Sequence, residues 1–312
     1  MSSASPSNKA ILARISIVVG AGIWGLFWLP LRYLDNNGVE GIWAVALTMA
    51  TTLVIAVPVA LWKSTLPKEA WRWFLLLGIG MGTSAIFYFA AIILTDVIRA
   101  VFLFYMLPIW ATIASWLIYG ERISRRQLIA ILFALLGLYL LLGGDGGWPI
   151  PRNLGDWFGL LSGILWALSL TLLRGNPGID PYLATAAPFL FGTPIAIVIG
   201  MFLLVIVPES ASAWPEFSHV WPLLPASLLF GIVVLWPSLF GQIWGARHVS
   251  APSAALLTMS EILLATLSSW FLIGSSLTPL AIVGACFIFT AAIVDLTAMQ
   301  DETAPGTENS KQ

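Results

Sequence analysis

Long, continuously apolar stretches follow one another along the chain, separated by short segments that contain Pro, Gly or charged residues. About 20 apolar residues cross a bilayer as an α-helix, whereas a membrane-spanning strand alternates apolar and polar positions. The pattern therefore predicts an all-α integral membrane protein with ten transmembrane helices. The predicted helices are 11–33, 41–62, 71–93, 97–119, 127–142, 157–173, 182–207, 223–246, 250–273 and 279–298.

The composition supports a chain that lies almost wholly within the membrane. Of 312 residues, 59% are hydrophobic and 9% are charged, against roughly 25% charged residues in an ordinary globular protein. The mean hydropathy is +0.93. The net charge of −1 gives no reason to expect a nucleic-acid partner.

The basic residues are unevenly shared between the two sides of the predicted bundle. With the N-terminus inside, eleven basic residues are cytoplasmic and three are external, and such a bias is typical of the cytoplasmic side. This predicts a multi-pass protein of the inner (plasma) membrane with both termini in the cytoplasm. The external residues are Arg32, Arg99 and Arg152; the cytoplasmic ones are Lys9, Arg14, Lys63, Lys68, Arg72, Arg122, Arg125, Arg126, Arg174, Arg247 and Lys311.

An internal repeat relates the two halves of the chain. A shift of 153 residues aligns the third to fifth helices with the eighth to tenth and brings Met106 onto Met259, while a shift of 142 brings Trp24 onto Trp166. Since five is odd, the second copy begins on the opposite side of the membrane, which gives two inverted-topology five-helix repeats. The predicted division is a cytoplasmic tail 1–10, a first repeat 11–143, an exofacial linker 144–156, a second repeat 157–298 and a disordered cytoplasmic tail 299–312.

Three motifs carry a resemblance to a known family: Ala21–Gly25 (AGIWG), Phe104–Trp110 (FYMLPIW) and Gly120–Ser124 (GERIS). With them the chain resembles the drug/metabolite transporter superfamily, specifically its ten-helix EamA-type exporters. The second copy departs from the pattern, because Ile273–Leu277 lacks the glutamate and Glu261 is followed by Ile where the family commonly has Glu-Pro. The resemblance implies the fold and metabolite export. The aromatic richness looks like the aromatic amino acid exporters of the YddG type.

Glu261 is the most informative single residue, because it lies in the middle of the ninth predicted helix. An ionisable group at that depth is costly and is expected to face a cavity or a partner. One interpretation is a contact for a substrate ammonium group or a carboxylate that couples transport to protons. The other is a hydrogen-bonded group that braces two helices.

Polar stripes at helical spacing and aromatic residues at depth supply the remaining candidates. Such faces point toward the bundle interior, where they can line a cavity or simply pack helices together. Proline can bend a helix at a gate or form a static kink, and Pro30, Pro108 and Pro237 are the candidates for this role. The candidate substrate-binding residues are Trp24, Trp28, Tyr88, Tyr105, Pro108, Thr112, Trp166, Ser169, Trp236, Thr258 and Glu261.

These features together predict an exporter of small hydrophobic metabolites, with aromatic or hydrophobic amino acids preferred, that works by alternating access around a central cavity. Its partners are a small-molecule substrate and the lipid bilayer, and we expect a monomer without cofactor, metal or nucleotide-binding subunit. A different drug or metabolite substrate remains an alternative. A nucleotide-sugar would call for basic residues at depth, and the sequence has none there.

A membrane-embedded enzyme and a helical scaffold are the alternatives from other classes. The two histidines, His219 and His248, fall on opposite sides of the predicted bundle, so they cannot share a metal or an acid–base site. The predicted loops are short, which leaves little surface for a scaffold. The sequence therefore predicts that the chain is not an enzyme.

Overall fold

The computed structural model describes residues 6–63, 66, 68–143, 150–206, 214–274 and 276–303. Within them the chain forms ten helices and no strand, several of the helices being interrupted. They are α1 (Pro6–Trp24 and Trp28–Asp35), α2 (Gly41–Trp62), α3 (Lys68–Leu94), α4 (Val97–Phe104 and Leu107–Tyr119), α5 (Arg125–Leu141), α6 (Leu154–Gly175), α7 (Pro181–Ile206), α8 (Phe217–Phe230, a π-helical turn Gly231–Leu235, and Trp236–Ala246), α9 (Ala251–Thr258 and Ser260–Ile273) and α10 (Pro279–Thr303).

The helices confirm the predicted all-α membrane fold. Eight of those described, α1–α4 and α6–α9, are long and apolar enough to cross a membrane, and Pro279–Asp295 is a shorter apolar helix. The predicted edges agree closely, α2 coinciding with 41–62. The last helix is longer than predicted and ends at Thr303, so it enters the segment 299–312 that was predicted to be disordered. Residues 144–149 of the predicted linker and 304–312 of the predicted tail lie outside the described residues.

Helix packing follows the two-fold relation that inverted repeats require. Helix α3 of the first repeat packs against α6 of the second. The counterpart of α3 in the second repeat is α8, which packs against α1 of the first. Likewise α4 packs against α6, and α9 packs against α1. Counterparts also pair with each other, α2 with α7 and α5 with α10. The two copies therefore interlock instead of forming two separate bundles.

Two buried hydrogen bonds between helices obey the same relation. The Ser84 hydroxyl of α3 donates to the Ser162 carbonyl of α6 at 2.7 Å. The Ser238 hydroxyl of α8 donates to the Gly20 carbonyl of α1, also at 2.7 Å. Ser84 and Ser238 are 154 positions apart, one more than the 153-residue shift. Gly20 and Ser162, which supply the two carbonyls, are separated by the 142-residue shift. In an apolar medium such bonds hold helices at a fixed register.

The fourth helix of each copy is interrupted at an equivalent point. In α4 the break falls at Tyr105 and Met106, before a proline at the start of the next segment. In α9 it falls at Met259 with no proline there, and the Ser260 hydroxyl donates to the Leu257 carbonyl at 2.8 Å. A hydroxyl that competes for a helix carbonyl bends the helix. The two breaks therefore have different local causes and the same position.

Close backbone contacts accompany the breaks. A Cβ added at Gly163 of α6 would lie 2.5 Å from the carbonyl oxygen of Phe104, where the first segment of α4 ends. Small residues at helix crossings allow such approaches inside a membrane.

We expect Gly163→Ala to push α6 away from α4 and to lower the unfolding temperature of the purified protein in detergent. The cost should be about 1–3 kcal/mol, because the methyl group meets a backbone carbonyl that cannot move aside. Gly178→Ala is the matched control, since no atom lies within 4 Å of the added Cβ there. Equal unfolding temperatures for the two variants would contradict the close crossing.

Candidate central transport site

The two ends of the bundle differ in their charged residues and are named here by them. The Arg99 side contains the starts of α4 and α6, and the Glu121 side contains their ends. Because consecutive helices alternate in direction, α9 starts on the Glu121 side and α10 starts on the Arg99 side.

A narrow cavity of about 30 Å³ lies among α1, α3, α4, α6, α8 and α9. This volume has room for one or two water molecules, so the walls must separate before a metabolite can enter. The residues that line it are Trp24, Ser84, Ala85, Tyr88, Phe104, Trp166, Gln242, Thr258 and Glu261.

The break in α9 determines where Glu261 lies. The residue occupies the first turn of the second α9 segment and is partly exposed at the cavity wall. Its backbone carbonyl closely approaches Gly25, at the break of α1. Tyr88 lines the cavity together with Glu261. The Tyr105 hydroxyl is buried and forms no hydrogen bond among the described residues.

Four of the nine residues that line the cavity are aromatic, and some of their rings contact further rings behind them. The ring centroids of Tyr88 and Phe104 are 4.6 Å apart, and those of Phe104 and Tyr105 are 5.0 Å apart. The ring centroids of Trp24 and Phe27 are 5.4 Å apart. Rings held by other rings give a wall of defined shape against which an apolar or aromatic group can pack.

Five of the candidate substrate-binding residues line this cavity: Trp24, Tyr88, Trp166, Thr258 and Glu261. Four lining residues were not among the candidates: Ser84, Ala85, Phe104 and Gln242. Gln242 was detectable in principle as an amide in the middle of an apolar helix.

Two further candidates on α4 lie away from the cavity. Pro108 is buried, and its carbonyl accepts the Thr112 hydroxyl at 2.7 Å. Thr112 instead lines a second cavity on the Glu121 side. The polar face of α4 that contains Pro108 and Thr112 therefore leads from the centre of the bundle toward the Glu121 side.

The other candidates pack helices together. Trp28 donates its indole N–H to the Ser268 hydroxyl at 3.0 Å, which joins α1 to α9. Ser169 is buried against α3. Trp236 stacks on Phe189 with ring centroids 6.1 Å apart, which joins α8 to α7.

The two remaining kink candidates lie at helix interruptions. Pro30 is buried in the second segment of α1, shortly after its break. Pro237 is exposed and is the second residue after the π-helical turn of α8. Both are at places where a helix can bend without losing further backbone hydrogen bonds.

The second cavity, of about 320 Å³, is polar and lies on the Glu121 side. Serines and charged residues of α4, α6, α9 and α10 line it, including Ser115, Ser253 and Asp295. Arg174 and Glu121, which form an ion pair, contribute to its rim. Since α4 and α9 line both cavities, movement of these two helices can connect the centre to the Glu121 side.

On the Arg99 side a charged network joins the two repeats. Arg99 of α4 donates to Asp156 of α6 from Nη2 at 2.6 Å and from Nε at 3.3 Å. The Thr95 hydroxyl donates to the same carboxylate at 2.7 Å, and so does the Arg152 backbone N–H at 2.9 Å. Asp156 is completely buried. The sequence patterns place Arg99 on the external side but do not predict its pairing with Asp156.

A bundle of two interlocked inverted repeats, with a central cavity and a polar cavity leading away from it, is typical of membrane transporters. The chain belongs to the EamA-like transporter family, which it matches over residues 11–143 and 153–296, one match for each repeat.

Similar proteins agree with this assignment. The chain is 27% identical over 209 residues to an uncharacterized transporter of Archaeoglobus fulgidus. The aligned residues cover 66% of this chain and 70% of the relative. It also resembles a solved crystal structure with a TM-score of 0.70 at 17% identity, covering 96% of this chain and 99% of the other. The last similarity supports the fold alone.

We expect Arg99→Gln to loosen the junction between the repeats on the Arg99 side, because it leaves the buried Asp156 carboxylate without its cation. In an Ala85→Cys, Cys286→Ala protein, a membrane-impermeant thiol reagent added from that side should then label the central cavity several-fold faster. Arg152→Gln is the control, because Arg152 binds Asp156 through its backbone only. Unchanged labelling in Arg99→Gln would exclude the junction as a barrier.

Proposed function

We propose that this transporter exports small hydrophobic metabolites, with aromatic or hydrophobic amino acids as its substrates. The observation that carries the proposal is the central cavity, in which aromatic rings surround a single carboxyl group between two inverted repeats. Apolar walls with a few polar groups are typical of small-molecule sites. An aromatic side chain would pack against the rings, and the polar end of the substrate would lie near Glu261.

The mechanism that we propose is alternating access. The buried Arg99–Asp156 pair joins the repeats on one side, while the other side has a polar cavity with the more exposed Arg174–Glu121 pair at its rim, so the two ends differ. Rocking of one repeat against the other would first break the Arg99–Asp156 pair and then widen the central cavity. The interruptions in α1, α4 and α9 are places where the helices can bend during this movement.

In the proposed orientation the Glu121 side faces the cytoplasm and the protein lies in the inner membrane as a monomer. The excess of basic residues on that side supports the orientation. The polar cavity would then be the cytoplasmic entrance, as export requires. Energy would come from the substrate gradient or from ion coupling, and Glu261 is the carboxylate that we propose for proton coupling.

Counterflow into proteoliposomes tests the function. Labelled phenylalanine or tryptophan outside should accumulate when the vesicles are loaded with unlabelled aromatic amino acids, and it should not when they are loaded with lysine or glutamate. Vesicles without protein are the control. Failure of every amino acid to drive accumulation would contradict the substrate class, and the search would move to other metabolites and drugs.

Glu261→Gln tests the coupling role. The substitution preserves shape but removes the exchangeable proton, so uptake should become slower and lose its dependence on pH. Glu40→Gln removes an exposed carboxylate at the start of α2 and should behave as the unaltered protein. Coupling through Glu261 is wrong if uptake rate and pH profile are the same in Glu261→Gln and Glu40→Gln.

A further inference from the structure

The described residues that line the central cavity include an acidic residue and no basic residue. Glu261 contributes the one carboxyl group among its described lining residues, and none of these residues is Lys, Arg or His. A ligand carboxylate in this cavity would find no cation at the wall to compensate it in a surrounding of low dielectric constant, and it would be repelled by the ionised form of Glu261. A ligand ammonium would instead stabilise the ionised form of Glu261.

The hydroxyl groups of the wall show the same preference. Ser84 donates its proton to the Ser162 carbonyl at 2.7 Å, and Thr258 donates its proton to the Ala255 carbonyl at 2.7 Å. A hydroxyl group has one proton and two acceptor lone pairs. Both oxygens can therefore accept a hydrogen bond from a ligand, but they cannot donate one without breaking a helix contact.

The Gln242 amide already forms a hydrogen bond within the protein. Its Nε2 donates to the Ser238 hydroxyl at 3.4 Å, one turn away on α8. A carboxylate needs several donors to replace its water, whereas an ammonium group brings three donors of its own. Among Ser84, Thr258 and Gln242, acceptors thus outnumber the donors that remain available, and the other donors of the wall, the Tyr88 hydroxyl and the Trp24 and Trp166 indole N–H groups, are uncharged.

The aromatic rings favour the same ligand end. Trp24, Tyr88, Phe104 and Trp166 line the cavity together with Glu261. The face of an aromatic ring attracts a cation and disfavours an anion, most strongly where water is excluded. Four rings and one carboxyl group together form a surrounding suited to a protonated amine.

We propose that the central cavity recognises the ammonium group of its ligand, so that the protein binds protonated aromatic amines whether or not they carry a carboxylate. This inference rests on the proposed transport function and specifies which end of the substrate is bound. An aromatic amino acid satisfies the requirement through its ammonium group, but its carboxylate finds no charged partner at the described wall. An amine without a carboxylate, such as phenethylamine, is therefore the better ligand.

Equilibrium binding to the purified full-length protein in detergent tests the proposal. Labelled phenethylamine is competed with phenylalanine, 3-phenylpropionate and 2-phenylethanol, which have a similar ring and differ mainly in their polar groups. Phenethylamine should bind at least about tenfold more tightly than phenylalanine, since charge-assisted contacts dominate the difference. The proposal predicts that 3-phenylpropionate does not compete. Competition by 3-phenylpropionate equal to that by phenethylamine would overturn it.

Variants assign the preference to Glu261. In Glu261→Gln the affinity for phenethylamine should fall at least about tenfold, to that of the neutral 2-phenylethanol, because the charge-assisted contact is lost. Glu261→Asp should retain part of the preference, and Glu40→Gln all of it. Unfolding temperatures show that each variant is folded. An unchanged amine affinity in folded Glu261→Gln would refute recognition through this carboxyl group.

The two proposals can fail separately. Phenylalanine counterflow that phenethylamine does not inhibit would contradict amine recognition and leave the transport function intact. Amine binding that depends on Glu261, without counterflow of any amino acid, would contradict the proposed substrates and support amine recognition.

Discussion

Lipid cannot hydrogen-bond to a peptide group, so every interruption of a helix within the membrane has to be covered by protein. This constraint explains why the breaks lie where they do. The break of α4 is covered by Gly163 of α6, and the break of α1 lies against the backbone of Glu261 in α9. Each broken helix is thus held by a helix of the other repeat. The interlocked packing of the two copies follows from this, and so does the position of the cavity beside the breaks.

The same constraint shapes the wall of the cavity. Inside a membrane, hydroxyl groups obtain their hydrogen bonds by donating to helix carbonyls, as Ser84 and Thr258 do. This stabilises the helix crossings and leaves lone pairs for the ligand. Structural stability and ligand preference are therefore not independent here, because the direction of each hydroxyl proton is already determined by the packing of the helices.

Sequence patterns predicted the helices well because a span of the bilayer needs a long apolar run that is visible in one dimension. They predicted the repeat because its copies keep residues such as Met106 and Met259 at a constant separation. They did not predict the break of α9, which has no proline at the break and depends on hydroxyl groups. They also missed the Arg99–Asp156 pair, whose members are 57 positions apart. Contacts between distant helices depend on helix rotation, and an almost uniformly apolar sequence contains little information about rotation.

The Arg99–Asp156 pair is not repeated at the positions that the two shifts relate to it. The related positions are occupied by Pro252 and Arg14, which cannot form an ion pair with each other. If the two copies were identical, symmetry would make the inward-facing and outward-facing states equal in free energy, and each would be half populated. The resting population of this protein is therefore decided by the residues in which its halves differ. This pair is one of them and favours the state in which the Arg99 side is joined, whereas the Arg174–Glu121 pair joins the two repeats on the opposite side.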